Sequence, residues 1–380
     1  MKIYLSQLCV ALGIIFFLLF SQKSSCGEIP EELIHKTVYG PVVDGINLKV
    51  PTELGNQQLA ASGLVDITAA PFFADPTGAK DSTESIQAAI KFARDHQMVC
   101  FFPSGTYMIS DTIECIQNYY KRSNSKIYNA RNFPCLLIGS RQGKRPVIYL
   151  KPKSRGFENA SRPKYVVHYW ARSMKNHNEP APPVSMNQMF INIDITIGKN
   201  NPGAIAIRHR GAQGSGIQES VIRVGDGLTG IEGGCGSGGS HADITVIGGN
   251  IGLDLRETQP APTISGLTLT GQRETAILYQ GRQTLSAVGV VIDFAGKGMP
   301  IVSKSASWSP VHGQVCLIDS RISLNQRGPA ISSESSLYLK NVYIKNASKI
   351  IAGVREPLLD VKPGGWVHLK EYTNVAQPRK

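Results

Sequence analysis

Residues 230–249 read GIEGGCGSGGSHADITVIGG, and around them stand most of the side chains whose chemistry asks for a use. Gly234, Gly236 and Gly239 form G-x-G-x-x-G, a pattern that in another setting cradles a pyrophosphate. That use needs a strand before the glycines, a helix opening within them to present its N-terminal dipole, and an acid about twenty residues on for the ribose. LTGI at 228–231 supplies a strand and Asp254 stands at a suitable distance, but ADITVIGGNIGLDL is β-branched and broken by glycine. Without a helix there is no dipole, so the nucleotide reading fails. The glycines instead read as a tight turn between strands that leaves a floor free of side chains. Beside that floor lie the Glu232 carboxyl, able to move a proton, and His209, Arg210 and His241, able to bind a polar substrate.

Such groups need a rigid frame, and the chain after Met186 supplies one by repetition. Short β-rich units recur as NIDITIG, SVIRVG, ADITVIGG, SGLTLTG, SAVGVVID and KNVYIKN. Taken as equivalent anchors, Ile195, Ile222, Ile244, Leu267 and Val288 stand 27, 22, 23 and 21 residues apart. A strand in every unit, with no helix between, is the pattern of a solenoid. Leucine-rich repeats demand a Leu/Asn consensus that is missing here, and a β-sandwich would place hairpin-linked strands about 8 to 12 residues apart. The expected fold is all-β: a single-stranded parallel β-helix over residues 71–350.

The open end of a β-helix must be covered. In DPTGAKDSTESIQAAIKFARDHQMVCFFPSGTYMIS, Asp81 and Glu84 open a capping-box-like start, and Ile86, Ala89, Ile90 and Ala93 share one helical face. This predicts a short N-terminal capping helix over about Ser82 to Arg94, followed by strands MVCFF and TYMIS about the turn Pro103-Ser104-Gly105. Residues 27–70 read as an extended lead-in and 351–380 as a tail.

The 380 residues, 42% hydrophobic and 18% charged, describe a folded chain with a substantial core. Lys2, the apolar run Leu8 to Phe20 and the polar SQKSSCG predict a signal peptide over 1–26, hence a secreted protein with no stable membrane partner after cleavage. Beyond it lie Cys100, Cys115, Cys135, Cys235 and Cys316; oxidation predicts a disulfide, with Cys115 to Cys135 the natural pair. No C-x-x-C spacing occurs, and neither a metal nor a cofactor is expected. The net charge of +12 is local: Lys121 to Lys175 holds fourteen Lys or Arg against Glu158 alone, so this segment carries +13 and the rest −1 (12 − 13). A basic region of this kind suits an anionic polymer. Nucleic acid is disfavoured by the export signal and by the lack of any recognisable binding module.

The block DPTGAKDSTESIQAAI…FFPSGTYMIS resembles the N-terminal cap of pectate-lyase-superfamily β-helices, which are right-handed. More narrowly, NIDITIG…GAIAIRHRGAQGSGIQ…GIEGGCGSGGSHADITVIGGNIGLDL resembles the first β-helix of glycoside hydrolase family 55, the exo-acting β-1,3-glucanases. In that family a Gln and a Ser hold the attacking water of an inverting hydrolysis, and the matching positions are Gln213 and Ser237. Their separation of 24 residues, about one coil, would set them on adjacent strands roughly 4.8 Å apart. The family's catalytic acid is a Glu from a second β-helix, and the tail VKPGGWVHLKEYTNVAQPRK reads as no further solenoid. The resemblance therefore leaves the acid to come from within, with Glu232 preferred over the recurring Asp194, Glu219 and Asp243, or from a partner β-helix chain; otherwise the chain is truncated or inactive.

Three functions compete. The first is a secreted hydrolase similar to β-1,3-glucanases, and the second a lyase on a uronate polymer whose carboxylates the basic segment neutralises. The third is a protein that binds polysaccharide without turning it over.

Overall fold

Strands of four or five residues that alternate apolar and polar side chains bury one face only by stacking coil on coil. The computed structural model describes residues 29–35, 50–121, 126–129, 133–256, 262–305, 313–353, 359 and 361–374. The predicted signal peptide lies outside these. The chain winds as a right-handed parallel β-helix whose coil strands join one large sheet, while Ile34–His35, Tyr119–Lys121 and Ile127–Asn129 form a separate small sheet. Tyr107, Ile148, Ile195, Ile222, Val246, Leu269, Ile292, Ile322 and Ile344 stand in register, coil after coil, and all are buried. This apolar ladder is the inner face of a first wall.

A second wall is built from Ile113–Gln117, Lys164–Ala171, Ala204–His209, Thr229–Glu232, Ile251–Arg256, Thr275–Gln280 and Ile301–Ser303. A third wall stacks Leu137, Phe190, Ile217, His241, Ile264, Ala287, Leu317 and Leu339 inward.

The sharp corner between third and first walls uses left-handed backbone at Asn192, Glu219, Asp243, Gly266, Gly289, Asp319 and Asn341. Asn and Asp tolerate this conformation and glycine adopts it freely. Two of the acids that recur along the sequence, Glu219 and Asp243, are therefore corner residues. Asp194 follows the corner and pins it, accepting from the Val221 amide and from Arg145. The expected anchors hold for Ile195 with Ile222 and for Ile244 with Leu267. Ile222, however, pairs with Val246, two residues beyond the expected Ile244. A slip of two keeps the same face inward, so alternation alone cannot detect it.

The capping helix runs Thr83–Asp95 with Ser82 as N-cap, within a residue of expectation, and buries Ile86, Ala89, Ile90 and Ala93. Gln87 exchanges two hydrogen bonds with the Glu114 backbone, and Arg94 donates to Ile116 O at 2.8 Å, so the helix covers the first strand of the second wall. The coil begins inside the expected lead-in: Leu64–Asp66 pairs with Val99–Phe102, preceded by helix Gln57–Ala61. At the other end Trp366–Asn374 leaves the expected tail to pair antiparallel with Ser336–Ile351, giving the last coil a neighbour.

The expected disulfide is corrected. Cys115 and Cys135 stand as neighbouring free thiols, buried with Cys100 and Cys235, while Cys316 is half-buried. Burial pushes the Cys100 and Cys115 thiols well above their ordinary range, so they lack the thiolate that reacts. Alkylation of the native protein followed by peptide mapping is expected to label Cys316 first among these five. Early labelling of Cys115 or Cys135 would contradict the packing.

Candidate active site

Alternation puts every second residue of the second wall outside, and parallel register lines those residues up about 4.8 Å apart. One such row reads Glu114, His168, Arg208, Glu232, Asp254. Its members engage one another. Glu114 Oε2 accepts from Trp170 Nε1 at 2.7 Å and lies 3.2 Å from His168 Nδ1. The contact sets the Nδ1 side of the His168 ring against the carboxylate and turns Nε2 away from it. That Nε2 atom is buried and has no hydrogen-bond partner among the described residues. The ring lies 4.7 Å from that of Tyr165, whose hydroxyl accepts from Arg208.

Arg208 Nη1 is 3.4 Å from Glu232 Oε1. On the next strand Asp254 is buried and held by Arg256, whose Nη2 lies 2.5 Å from Oδ2 while Nε and the backbone amide also donate. Burial raises the Glu232 carboxyl above its ordinary range, and the Asp254 charge adds to the rise; Arg208, Arg210 and Arg256 oppose it. Two adjacent carboxyls thus sit in unlike surroundings, one tending to keep its proton and one fixed in an ion pair.

The Arg210 charge acts on Glu232 and on Tyr165. It does so across Gly233, at φ 96°, where an added Cβ would meet Arg210 Cγ at 2.5 Å; only glycine fits. The chain then enters the turn that holds Gln213 and, one coil on, Ser237. Both side chains are exposed, and the turns are stitched by Gly214 N to Ser237 O at 3.2 Å and Gly236 N to Ala212 O at 2.9 Å. The structure brings Gln213 and Ser237 onto adjacent turns at the end of the strands that carry Arg208 and Glu232.

A family profile described as rhamnogalacturonase A/epimerase, pectate lyase-like, matches residues 69–300. The chain belongs to this family. No curated protein matches it. Among solved structures, this pectate-lyase-like chain is similar to the A-module of the mannuronan C-5 epimerase AlgE6 of Azotobacter vinelandii, at 13% identity over 74% of this chain and 69% of that one, TM-score 0.42. It is also similar to PfbA, a surface adhesin of Streptococcus pneumoniae, at 12% identity over 80% and 99%, TM-score 0.28. An iota-carrageenase complexed to iota-carrageenan fragments is 10% identical over 78% and 59%, TM-score 0.32.

Two of the expected binding residues of this pectate-lyase-like chain are corrected. His209 and His241 are buried inside the coil and reach no ligand outside it. His209 Nε2 meets Gln188 O at 3.0 Å, and His241 Nδ1 accepts from Ile217 N at 3.2 Å. Glu114, Tyr165, His168 and Trp170 were not foreseen. Their signal was the run KYVVHYWAR, where His168, Trp170 and Arg172 fall on alternate positions. Among the described residues no cluster suited to a metal ion occurs, and no helix is long and apolar enough to cross a membrane.

Proposed function

We propose that this chain cleaves a polysaccharide, with Glu232 delivering a proton to the departing glycosidic oxygen. The observation that carries this reading is the raised Glu232 carboxyl in an outward row, beside Asp254, which is paired with Arg256. Asp254 is not the base of an inverting pair, since neighbouring strands lie about 4.8 Å apart whereas a water between carboxyls needs roughly 6.5 to 9.5 Å. Asp254 instead raises Glu232. The water falls to Gln213 and Ser237, as in the β-1,3-glucanases, and the internal acid removes the need for a partner β-helix. Secretion rests on the leading stretch 1–26.

A second reading, elimination on a uronate polymer, is favoured by the Glu114–His168 pair. There Arg208 would neutralise the sugar carboxylate and Glu232 would protonate the leaving oxygen, while His168, whose Nε2 is buried, would have to swing outward to take the proton next to that carboxylate. The two readings part cleanly in assay. Glucose released from laminarin supports hydrolysis, unsaturated uronides absorbing in the ultraviolet from alginate or polygalacturonate support elimination, and binding without turnover rejects both. If hydrolysis holds, Gln213→Ala and Ser237→Ala each lower kcat by about a hundredfold. The double variant then loses little more, because the two side chains hold one water. Full activity in either single variant removes that residue from the mechanism.

A further inference from the structure

The turn that leads into the second wall forms a cleft of about 590 Å³ lined by Ser110, Asp111, Lys151, Lys153, Ser154, Arg155, Gly156 and Lys164. Four cations face one carboxylate. Lys164 already has partners: its Nζ lies 2.5 Å from Asp111 Oδ1 and 4.9 Å from the centre of the Phe157 ring. Lys151, Lys153 and Arg155 are exposed and form no ion pair among the described residues. Lys151 also acts on the Asp81 carboxylate, and Lys153 and Arg155 add two further cations to the same concavity.

Their backbone is held in advance. Buried Asn201, from the next coil, donates to Lys151 O at 2.9 Å and accepts from Ser154 N at 2.8 Å. Ser154 Oγ closes the turn on Lys151 O at 2.8 Å, and Lys153 N donates to Lys199 O. Lys153 itself sits at φ 54°, a conformation in which asparagine is at home and lysine is not. A turn fixed this firmly presents its cations without a further backbone ordering cost.

The cleft is continuous with the Glu232 row. Lys164 opens strand Lys164–Ala171, which carries Tyr165 and His168, and Thr112 Oγ1 ties the adjoining strand to Tyr165 O at 2.7 Å. From Lys164 to Glu232 is roughly 13 Å along the strand and roughly 10 Å across two rungs. A chain of sugars lying on the second wall would reach both.

We propose that this cleft is an anion subsite, which takes a carboxylate or sulfate ester of a polysaccharide whose backbone runs on to Glu232. The inference rests on the second wall being the polysaccharide face, and it makes the polymer an acidic one. Continuity with the row selects a polysaccharide over a nucleic acid.

The test is equilibrium binding by the full chain at low and at physiological salt, with polygalacturonate, dextran sulfate and laminarin as probes. The variant is Lys151→Gln/Lys153→Asn/Arg155→Gln, with asparagine chosen to suit the backbone at 153. Wild type is expected to bind an acidic probe, and the triple variant to bind it about tenfold more weakly with a shallower salt dependence. Loss confined to polygalacturonate names a carboxylate, loss confined to dextran sulfate names a sulfate ester, and loss on both names an anion of either kind. No binding by wild type, unchanged binding by the variant, or duplex DNA competing as well as the acidic polysaccharides overturns the subsite. Because binding needs no turnover, an inert Glu232 leaves this result standing, and an active Glu232 with an unaltered triple variant defeats the subsite alone.

Discussion

Glu232→Gln is expected to lower kcat by about 10² to 10⁴-fold, the range for loss of a general acid, with KM little changed. The amide keeps the size of the side chain and an oxygen for Arg208, so the surroundings survive while the proton does not. Circular dichroism and thermal midpoint should match wild type. The pH profile carries the stronger test. Glu232 must enter the reaction protonated, and burial holds its carboxyl above the ordinary value, so activity should persist above the normal glutamate range and fall as pH climbs through the raised value. Arg208 and Asp254 act on that value in opposite senses. Arg208→Gln removes a charge that lowers it and should move the alkaline limb to higher pH. Asp254→Asn removes a charge that raises it and should move the limb to lower pH. A purely structural Glu232 would move neither limb, and near-normal turnover by Glu232→Gln would end its assignment.

The solenoid and its cap were legible because both are local. Ile86, Ala89, Ile90 and Ala93 announce the helix face, and one strand per coil announces the repeat. His209 was legible too: in AIAIRH it stands two positions beyond the core residue Ile207, so both point inward while Arg208 between them points out. His241 was hidden by a physical cause. Counting back by twos from Ile244 makes Ala242 the inward residue, but Asp243 at φ 53° turns the corner and shifts the phase, so His241 faces the core between Ile217 and Ile264. The outward row was illegible for another reason. Glu114 and His168 meet across 54 positions (168 − 114), and the coil strands between them, around Leu137 and Ile148, show no repeat in the sequence that would set their register. Corner residues and long insertions are where a solenoid conceals its neighbours.

The buried histidines predict a loss of stability in mild acid. His209 and His241 lie with ring centres 5.6 Å apart, and Tyr169 stands edge-on to His209 at 5.0 Å. His209 Nδ1 and His241 Nε2 have no hydrogen-bond partner among the described residues. Burial holds His209 down to about 4 and His241 to about 3, with His209 adding to the depression of His241. The unfolded chain binds both protons near pH 6.5, whereas the folded chain refuses them until far lower. Stability is therefore complete above pH 6.5 and declines as pH falls toward 4, by about 1.4 kcal/mol per pH unit for each histidine. By pH 4 the loss is about 6 kcal/mol, comparable with the whole stability of many domains. Asp75, held down to about 2 by Thr77 and the Lys80 amide, acts in a separate window: its contribution is present above the normal aspartate value and is lost only toward pH 2. Urea unfolding at pH 7, 6, 5 and 4 should show a two-proton slope across the upper interval. His209→Gln keeps a donor for Gln188 O and His241→Gln keeps an acceptor for the Ile217 amide, so either is expected to reduce that slope to one proton whatever its stability at pH 7. A wild-type slope near zero between pH 6 and 5 would mean that the two rings are not buried neutral, and the inward register of both walls at this coil would have to be redrawn.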